Sequence, residues 1–103
     1  MPNRYSIVAT KYTGLPESFM MDLKPGEPAV LVREPGNVVD RNAVAIYIRG
    51  QRVGYIPRAN NTVLANFIDQ QGTMAQDSAL PAEKQITGVF VRSPNSGYPQ
   101  VEV

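Results

Sequence analysis

Glycine and proline interrupt this chain so often that most of its uninterrupted stretches are only as long as a β-strand. The 103 residues contain eight glycines and nine prolines, which end regular structure and place turns. The stretches between them are rich in β-branched residues, which favour strands. We therefore predict strands over residues 5–10, 29–34, 43–49, 52–56, 85–92 and 98–103.

One stretch has a different period. Apolar residues recur there at helical spacing and are predicted to share one face: Ala59, Val63, Leu64, Phe67 and Ile68. Pro57 precedes the stretch and Gly72 follows it, an asymmetry typical of helix ends. We predict a helix over residues 58–71, a single helical turn over 18–23 and a loop over 73–82.

The predicted elements limit the architecture. Gly50 and Gln51 are predicted to form a tight hairpin turn of the Gly-first kind. Five or six strands and one short α-helix make a mainly β fold, a small barrel or half-barrel whose open end the helix plugs. Hydrophobic residues make up 43% of the chain, enough for the core of a single domain over residues 1–103.

The residue inventory restricts the chemistry. The chain has no histidine and no cysteine, so it lacks the usual general base, the usual strong nucleophile and any thiolate metal site. We expect a binding domain rather than an enzyme, with no catalytic residue, metal or cofactor. Ten basic and nine acidic residues leave a net charge of +1, so a nucleic-acid partner would be contacted over a short footprint.

Hydropathy gives no sign of a membrane or of secretion. No apolar run approaches the roughly 20 residues that span a bilayer. The N-terminal sequence MPNRYSIVATKY lacks the apolar centre of a secretion signal. We expect a cytoplasmic protein with no membrane partner.

One loop, REPGNVVDRNA over residues 33–43, is unusually polar. Its polar residues lie between two predicted strands: Arg33, Glu34, Asn37, Asp40, Arg41 and Asn42. One interpretation is local, because Asn and Asp commonly stabilise turns and an arginine of the loop would pair with Glu34. The other interpretation is that these side chains converge on a ligand.

Tyrosines at turns and strand ends, two of them close to basic residues, are a second feature. Tyr55 and Arg58 come at the junction of strand and helix, where the first backbone N–H groups of the helix favour an anion. Lys11 adjoins Tyr12, and Tyr98 follows a turn. Such tyrosines commonly fill the rim of a core, but aromatic and basic side chains together also bind single-stranded nucleic acid.

Three motifs together resemble the HIRAN domain family. They are VREPGNVVDRNAVAIY at 32–47, RVGYIPR at 52–58 and LANFID at 64–69, and the resemblance covers about residues 6–98. It implies an OB-like or SH3-like small β-barrel that binds single-stranded DNA and recognises its free 3′ end. Such domains occur in fork-remodelling helicases and as stand-alone bacterial or phage proteins, which implies a role in DNA repair, replication or processing.

The resemblance also implies roles for individual residues. Asn37 and Asp40 occupy positions that contact the terminal nucleotide, where an ionised carboxylate accepts a hydrogen bond from a 3′-hydroxyl but repels a phosphate. Arg58 matches a phosphate-binding position. Tyr98 matches an aromatic that stacks on a base.

The sequence departs from the family at three other positions. Lys11 and Tyr12 lie where the family has an arginine and an aromatic that enclose the last base, and lysine cannot stack as a guanidinium does. Val39 replaces an aromatic residue of the DNA-binding members. Tyr55 replaces a histidine that those members can carry.

Three functions remain open from the sequence. The first is capture of a single-stranded 3′ end, with Lys11, Arg41 and Arg58 holding phosphates. The second is a protein-interaction module that uses the barrel edge, with a partner encoded nearby. The third is a hydrolase with Glu34 and Asp40 as metal ligands, for which two carboxylates six residues apart are a weak signal.

Overall fold

The structure, a computed structural model, describes residues 3–103. Within that range it contains seven strands and two α-helices. The strands are β1 (Arg4–Ser6), β2 (Pro28–Arg33), β3 (Val44–Ile48), β4 (Gln51–Tyr55), β5 (Thr73–Met74), β6 (Lys84–Arg92) and β7 (Pro99–Glu102). The helices are α1 (Glu17–Asp22) and α2 (Arg58–Gln71), and Thr10–Tyr12 forms one 3₁₀ turn.

All strands pair antiparallel, in the order β1-β7-β6-β2-β3-β4, with β5 pairing beside β6. The sheet curls until the segment after β1 meets β4. Val8 and Tyr55 exchange two backbone hydrogen bonds of 2.9 Å there. Gly54 permits this approach, because a Cβ on it would lie 2.5 Å from the carbonyl oxygen of Val8. The result is a half-barrel with one main helix, which confirms the predicted mainly β class.

Apolar residues from the inner face of the sheet and from α2 form the core. The buried face of α2 consists of Asn61, Leu64, Ala65 and Ile68. The predicted face was therefore wrong in part, because Ala59 is exposed, and so are Val63 (79%) and Phe67 (51%). A salt bridge between Arg33 of β2 and Asp69 of α2 helps to set the rotation of the helix that turns those residues outward.

Local structure agrees with the sequence in the helices and differs in two connections. The bounds of α2 are those predicted, and α1 lies within one residue of the predicted turn. The first strand ends at Ser6 rather than at residue 10, because Ala9 adopts a left-handed conformation (φ 61°) and turns the chain into the 3₁₀ segment. The hairpin turn is formed by Arg49 and Gly50, both with positive φ, rather than by Gly50 and Gln51.

Two smaller differences lie near the C-terminal half. β5 falls inside the predicted loop, where it pairs with the start of β6. Tyr98 lies just outside β7, which begins at Pro99. In the described part of the chain, neither helix is long and apolar enough to cross a membrane.

Candidate nucleic-acid interface

A cleft of about 270 Å³ opens between the polar loop, the segment after β1 and the start of α2. The closing contact between Val8 and Tyr55 brings these three parts of the chain together. The cleft is lined by Val8, Ala9, Asn37, Val39, Asp40, Ala43, Tyr55, Ile56, Arg58 and Asn61. Buried Ala43 and Ile56 give it an apolar part, and loop and helix supply polar groups.

Asp40 is the acidic side chain that lines the cleft, and three groups of the protein contact its carboxylate. Its Oδ2 accepts a hydrogen bond from Asn61 Nδ2 (2.7 Å) and lies 3.4 Å from Arg58 Nε. Its Oδ1 accepts the backbone N–H of Asn42 at 2.9 Å. The bond from Asn61, more than any other contact, holds the pKa of Asp40 below its ordinary value of 3.8, with Asn42 and Arg58 adding to it against partial burial. Asp40 is therefore ionised at neutral pH and can only accept hydrogen bonds.

Asn37 organises the loop that carries Asp40. Its Oδ1 accepts the backbone N–H groups of Val39 and Asp40, and its Nδ2 donates to Glu34 Oε1 at 3.0 Å. Tyr55 donates its hydroxyl to the same Glu34 oxygen at 2.9 Å. Burial, and next this hydrogen bond, raises the pKa of Tyr55, so the hydroxyl stays protonated.

Arg33 supports the loop from inside the protein. It is 6% exposed and donates to the carbonyl oxygens of Ala43 (2.8 Å) and Arg41 (3.0 Å). Its Nε also donates to Asp69 at 2.9 Å. The expected pairing of an arginine with Glu34 inside the loop is thus wrong for Arg33, whose partner comes from α2.

The eight residues predicted for the site separate into groups. Four of them line the cleft: Asn37, Asp40, Tyr55 and Arg58. Lys11 lines a neighbouring groove of about 510 Å³ that also contains Arg92. The remaining three are exposed and line neither concavity: Tyr12, Arg41 and Tyr98.

The two concavities adjoin along the chain. Val8 and Ala9 line the cleft, while Thr10 and Lys11 line the groove. The Lys11 ammonium lies 5.3 Å from the centre of the Tyr12 ring, a cation–π distance. The pair formed by Lys11 and Tyr12 therefore follows directly along the chain after the segment that lines the cleft.

Asn61 is the polar cleft residue that the sequence analysis missed. It is 4% exposed and contacts Asp40 from the core-facing side of α2. A signal was present in the sequence, because Asn61 precedes Leu64, Ala65 and Ile68 by three, four and seven residues. A polar residue in such an apolar stripe needs a buried partner.

Both carboxylates suggested as metal ligands are engaged by hydrogen-bond donors of the protein. Asp40 contacts Asn61 and Arg58, and Glu34 accepts from Tyr55 and Asn37. Within residues 3–103 there is no group of three acidic side chains that could hold a metal ion.

A curled antiparallel sheet, one packed helix and a polar cleft define a small β half-barrel binding domain. The model of the HIRAN domain family matches residues 3–94, so the chain belongs to that family. HIRAN domains are binding domains generally linked to DNA.

Two solved structures share the fold. A protein from Lactobacillus plantarum is 22% identical with a TM-score of 0.72, over 97% of this chain and 87% of that one. The HIRAN domain of human HLTF is 19% identical with a TM-score of 0.67, over 98% of this chain and 71% of that one. A comparison with curated protein sequences finds no match.

Proposed function

We propose that this HIRAN domain binds single-stranded DNA and holds a free 3′ end in the cleft. The observation that carries the proposal is Asp40, an ionised carboxylate that lines a small, partly apolar cleft 3.4 Å from Arg58. A carboxylate accepts a hydrogen bond from a hydroxyl but repels a terminal phosphate. Arg58 would hold the next phosphate beside the first turn of α2, whose N-terminus no side chain caps.

The rest of the strand would follow the exposed basic and aromatic residues. Lys11 and Arg41 would contact phosphates, and Tyr12 and Tyr98 would stack on bases. Tyr12 and Tyr98 are 73% and 70% exposed, so their rings are accessible for stacking. Because stacking and phosphate contacts do not read base edges, binding would be independent of sequence, with a shallow salt dependence.

We further propose that the chain acts as one domain in the cytoplasm, in DNA repair, replication or processing. The family's link to DNA supports this role. A protein partner encoded nearby would then connect the bound end to an enzyme.

The test is a fluorescence titration with three oligonucleotides: one with a free 3′-hydroxyl, one with a 3′-phosphate and one with only its 5′ end accessible. We expect the first to bind at least about tenfold more tightly than the second, the discrimination expected of one charged hydrogen bond. Equal affinity for these two would remove the role of Asp40.

Asp40→Ala should abolish the preference for the hydroxyl. Asp77→Ala is the matched control, because Asp77 also accepts the backbone N–H two residues ahead, from Ala79 at 2.9 Å, but does not line the cleft. An equal loss of the hydroxyl preference in both variants would mean that it results from disrupting a turn and not from removing a contact in the cleft.

A second candidate is protein interaction. Several large apolar side chains are exposed: Val38 (99%), Val39 (76%), Val63 (79%) and Phe67 (51%). Exposed apolar surface favours a protein partner. Recovery of one stoichiometric partner, together with no binding to any of the three oligonucleotides, would decide for this function.

A further inference from the structure

Asn61 is a buried polar residue in a position where an apolar one would pack. It shares the core-facing side of α2 with Leu64, Ala65 and Ile68, and it is 4% exposed. Asparagine is a poor residue for a helix interior, and burying its amide without a partner is costly. Its Nδ2 donates to Asp40 Oδ2 at 2.7 Å, which is shorter than the 3.4 Å from Arg58 Nε to the same oxygen.

The contacts of Asp40 show what this hydrogen bond controls. Asn61 and Arg58 engage Oδ2, and the backbone N–H of Asn42 engages Oδ1. A carboxylate offers about four acceptor positions, so a position on Oδ1 remains for a ligand. Arg58 is 72% exposed in its side chain and also donates to the carbonyl oxygen of Val39 at 3.2 Å, and a phosphate could replace both of these exposed contacts, whereas Asn61 is fixed by the core.

We propose that Asn61 is a positioning residue that fixes the Asp40 carboxylate and thereby sets the preference of the cleft for a terminal hydroxyl over a terminal phosphate. The proposal rests on the proposed function of the cleft. When a ligand phosphate draws Arg58 away, Asn61 still holds the carboxylate in its orientation. The site thus keeps one rigid contact to Asp40 and one exchangeable contact.

Other charged or titratable groups lie around Asp40. They are Arg58 at the start of α2 and Tyr55 on β4, which line the cleft with Asp40, and Glu34 in the same loop, which accepts from Tyr55. The bond from Asn61 lowers the pKa of Asp40 more than any other contact does. Removing Asn61 should therefore move the titration of Asp40 upward even though these other groups remain.

The first measurement uses the free protein. NMR titration of the side-chain carboxyl carbon of Asp40 is compared in the natural protein, Asn61→Leu and Asn60→Ala. Leucine keeps the volume without the amide, and Asn60 is an exposed asparagine on the same turn. We expect Asn61→Leu to raise the pKa of Asp40 towards its ordinary value and Asn60→Ala to leave it unchanged. An unchanged pKa in Asn61→Leu overturns the proposal.

The second measurement is binding of the hydroxyl-ended and phosphate-ended oligonucleotides. We expect Asn61→Leu to reduce the ratio of the two affinities by about tenfold, while Asn60→Ala keeps it. Asn61→Ser keeps a polar side chain that is too short for this contact. It should reduce the affinity ratio as Asn61→Leu does, so it can replace Asn61→Leu in the test if the leucine variant does not fold. Thermal denaturation shows which of the two variants folds.

The two measurements distinguish a failure of the proposed function from a failure of the proposed role of Asn61. A shifted Asp40 pKa without DNA binding in the natural protein would refute the proposed function and leave the contact to Asp40 intact. DNA-end binding whose hydroxyl preference survives in folded Asn61→Leu would refute the role of Asn61 and leave the proposed function intact.

Discussion

Gly54→Ala should open the half-barrel beside the cleft. An alanine Cβ would lie 2.5 Å from the carbonyl oxygen of Val8 and 2.7 Å from Ile7 Cγ2, so the segment after β1 must move. That movement breaks the two hydrogen bonds between Val8 and Tyr55. With about 1 kcal/mol for each bond and at least about 1 kcal/mol for overpacking, the free energy of unfolding should fall by about 3 kcal/mol. For a domain of this size the melting temperature should fall by roughly 15 °C.

The assay is thermal denaturation together with hydrogen exchange at the amide of Tyr55, which Val8 protects. Gly36→Ala is the matched control, because Gly36 lies in the polar loop and a Cβ on it meets no atom within 4 Å. It should change stability by less than about 1 kcal/mol. Similar melting temperatures for the two variants, with the Tyr55 amide still protected, would refute the idea that Gly54 allows the closure.

Three further predictions concern the cleft and its support. Arg33→Ala should lower the free energy of unfolding by about 3 kcal/mol, because the carbonyl oxygens of Ala43 and Arg41 each lose a hydrogen bond from the charged guanidinium. Asp69→Ala should cost less than about 1 kcal/mol, since Asp69 is half exposed; equal costs in urea denaturation would contradict this. Because the pKa of Asp40 is lower in the folded state than its ordinary 3.8, Asp40 adds stability above that pH and loses it as the pH falls through the folded value. Asp40→Asn should therefore weaken the acid dependence of stability below about pH 4, and an unchanged dependence would contradict the lowered pKa. Lys11→Arg should raise the affinity for single-stranded DNA about threefold, because a planar guanidinium stacks on a base; no change in a titration would place Lys11 outside the interface.

Helix α2 shows which structural features the local sequence can predict. Its two ends agree with prediction because Pro57 and Gly72 act within one or two residues of them. The prediction of its buried face was partly wrong because apolar residues lie along two different sides of the helix. Contacts with the sheet bury the stripe that contains Asn61 and leave Val63 and Phe67 exposed.

The cleft shows a similar division. The polar loop was found from its composition, and its internal turn bonds follow from Asn37 and Asp40 over two or three residues. The contact between Asn61 and Asp40 joins residues 21 apart, and no local pattern specifies such a distance. Lys11, Tyr12 and Tyr98, which the sequence offered as ligand contacts, are exposed and do not line the cleft; for Lys11 and Tyr12 this depends on the turn at Ala9.

The sequence by itself determined the mainly β class, the helix ends and the polar loop, because turn formation and periodicity act over a few neighbouring residues. It also limited the chemistry to carboxylate, hydroxyl, amide and basic groups. Only the tertiary structure decided that Arg33 pairs with Asp69, 36 residues away, and that Val8 closes the half-barrel against Tyr55. These contacts depend on how the curled sheet and α2 pack as a whole, and that packing gives Asp40 its buried partner, Asn61.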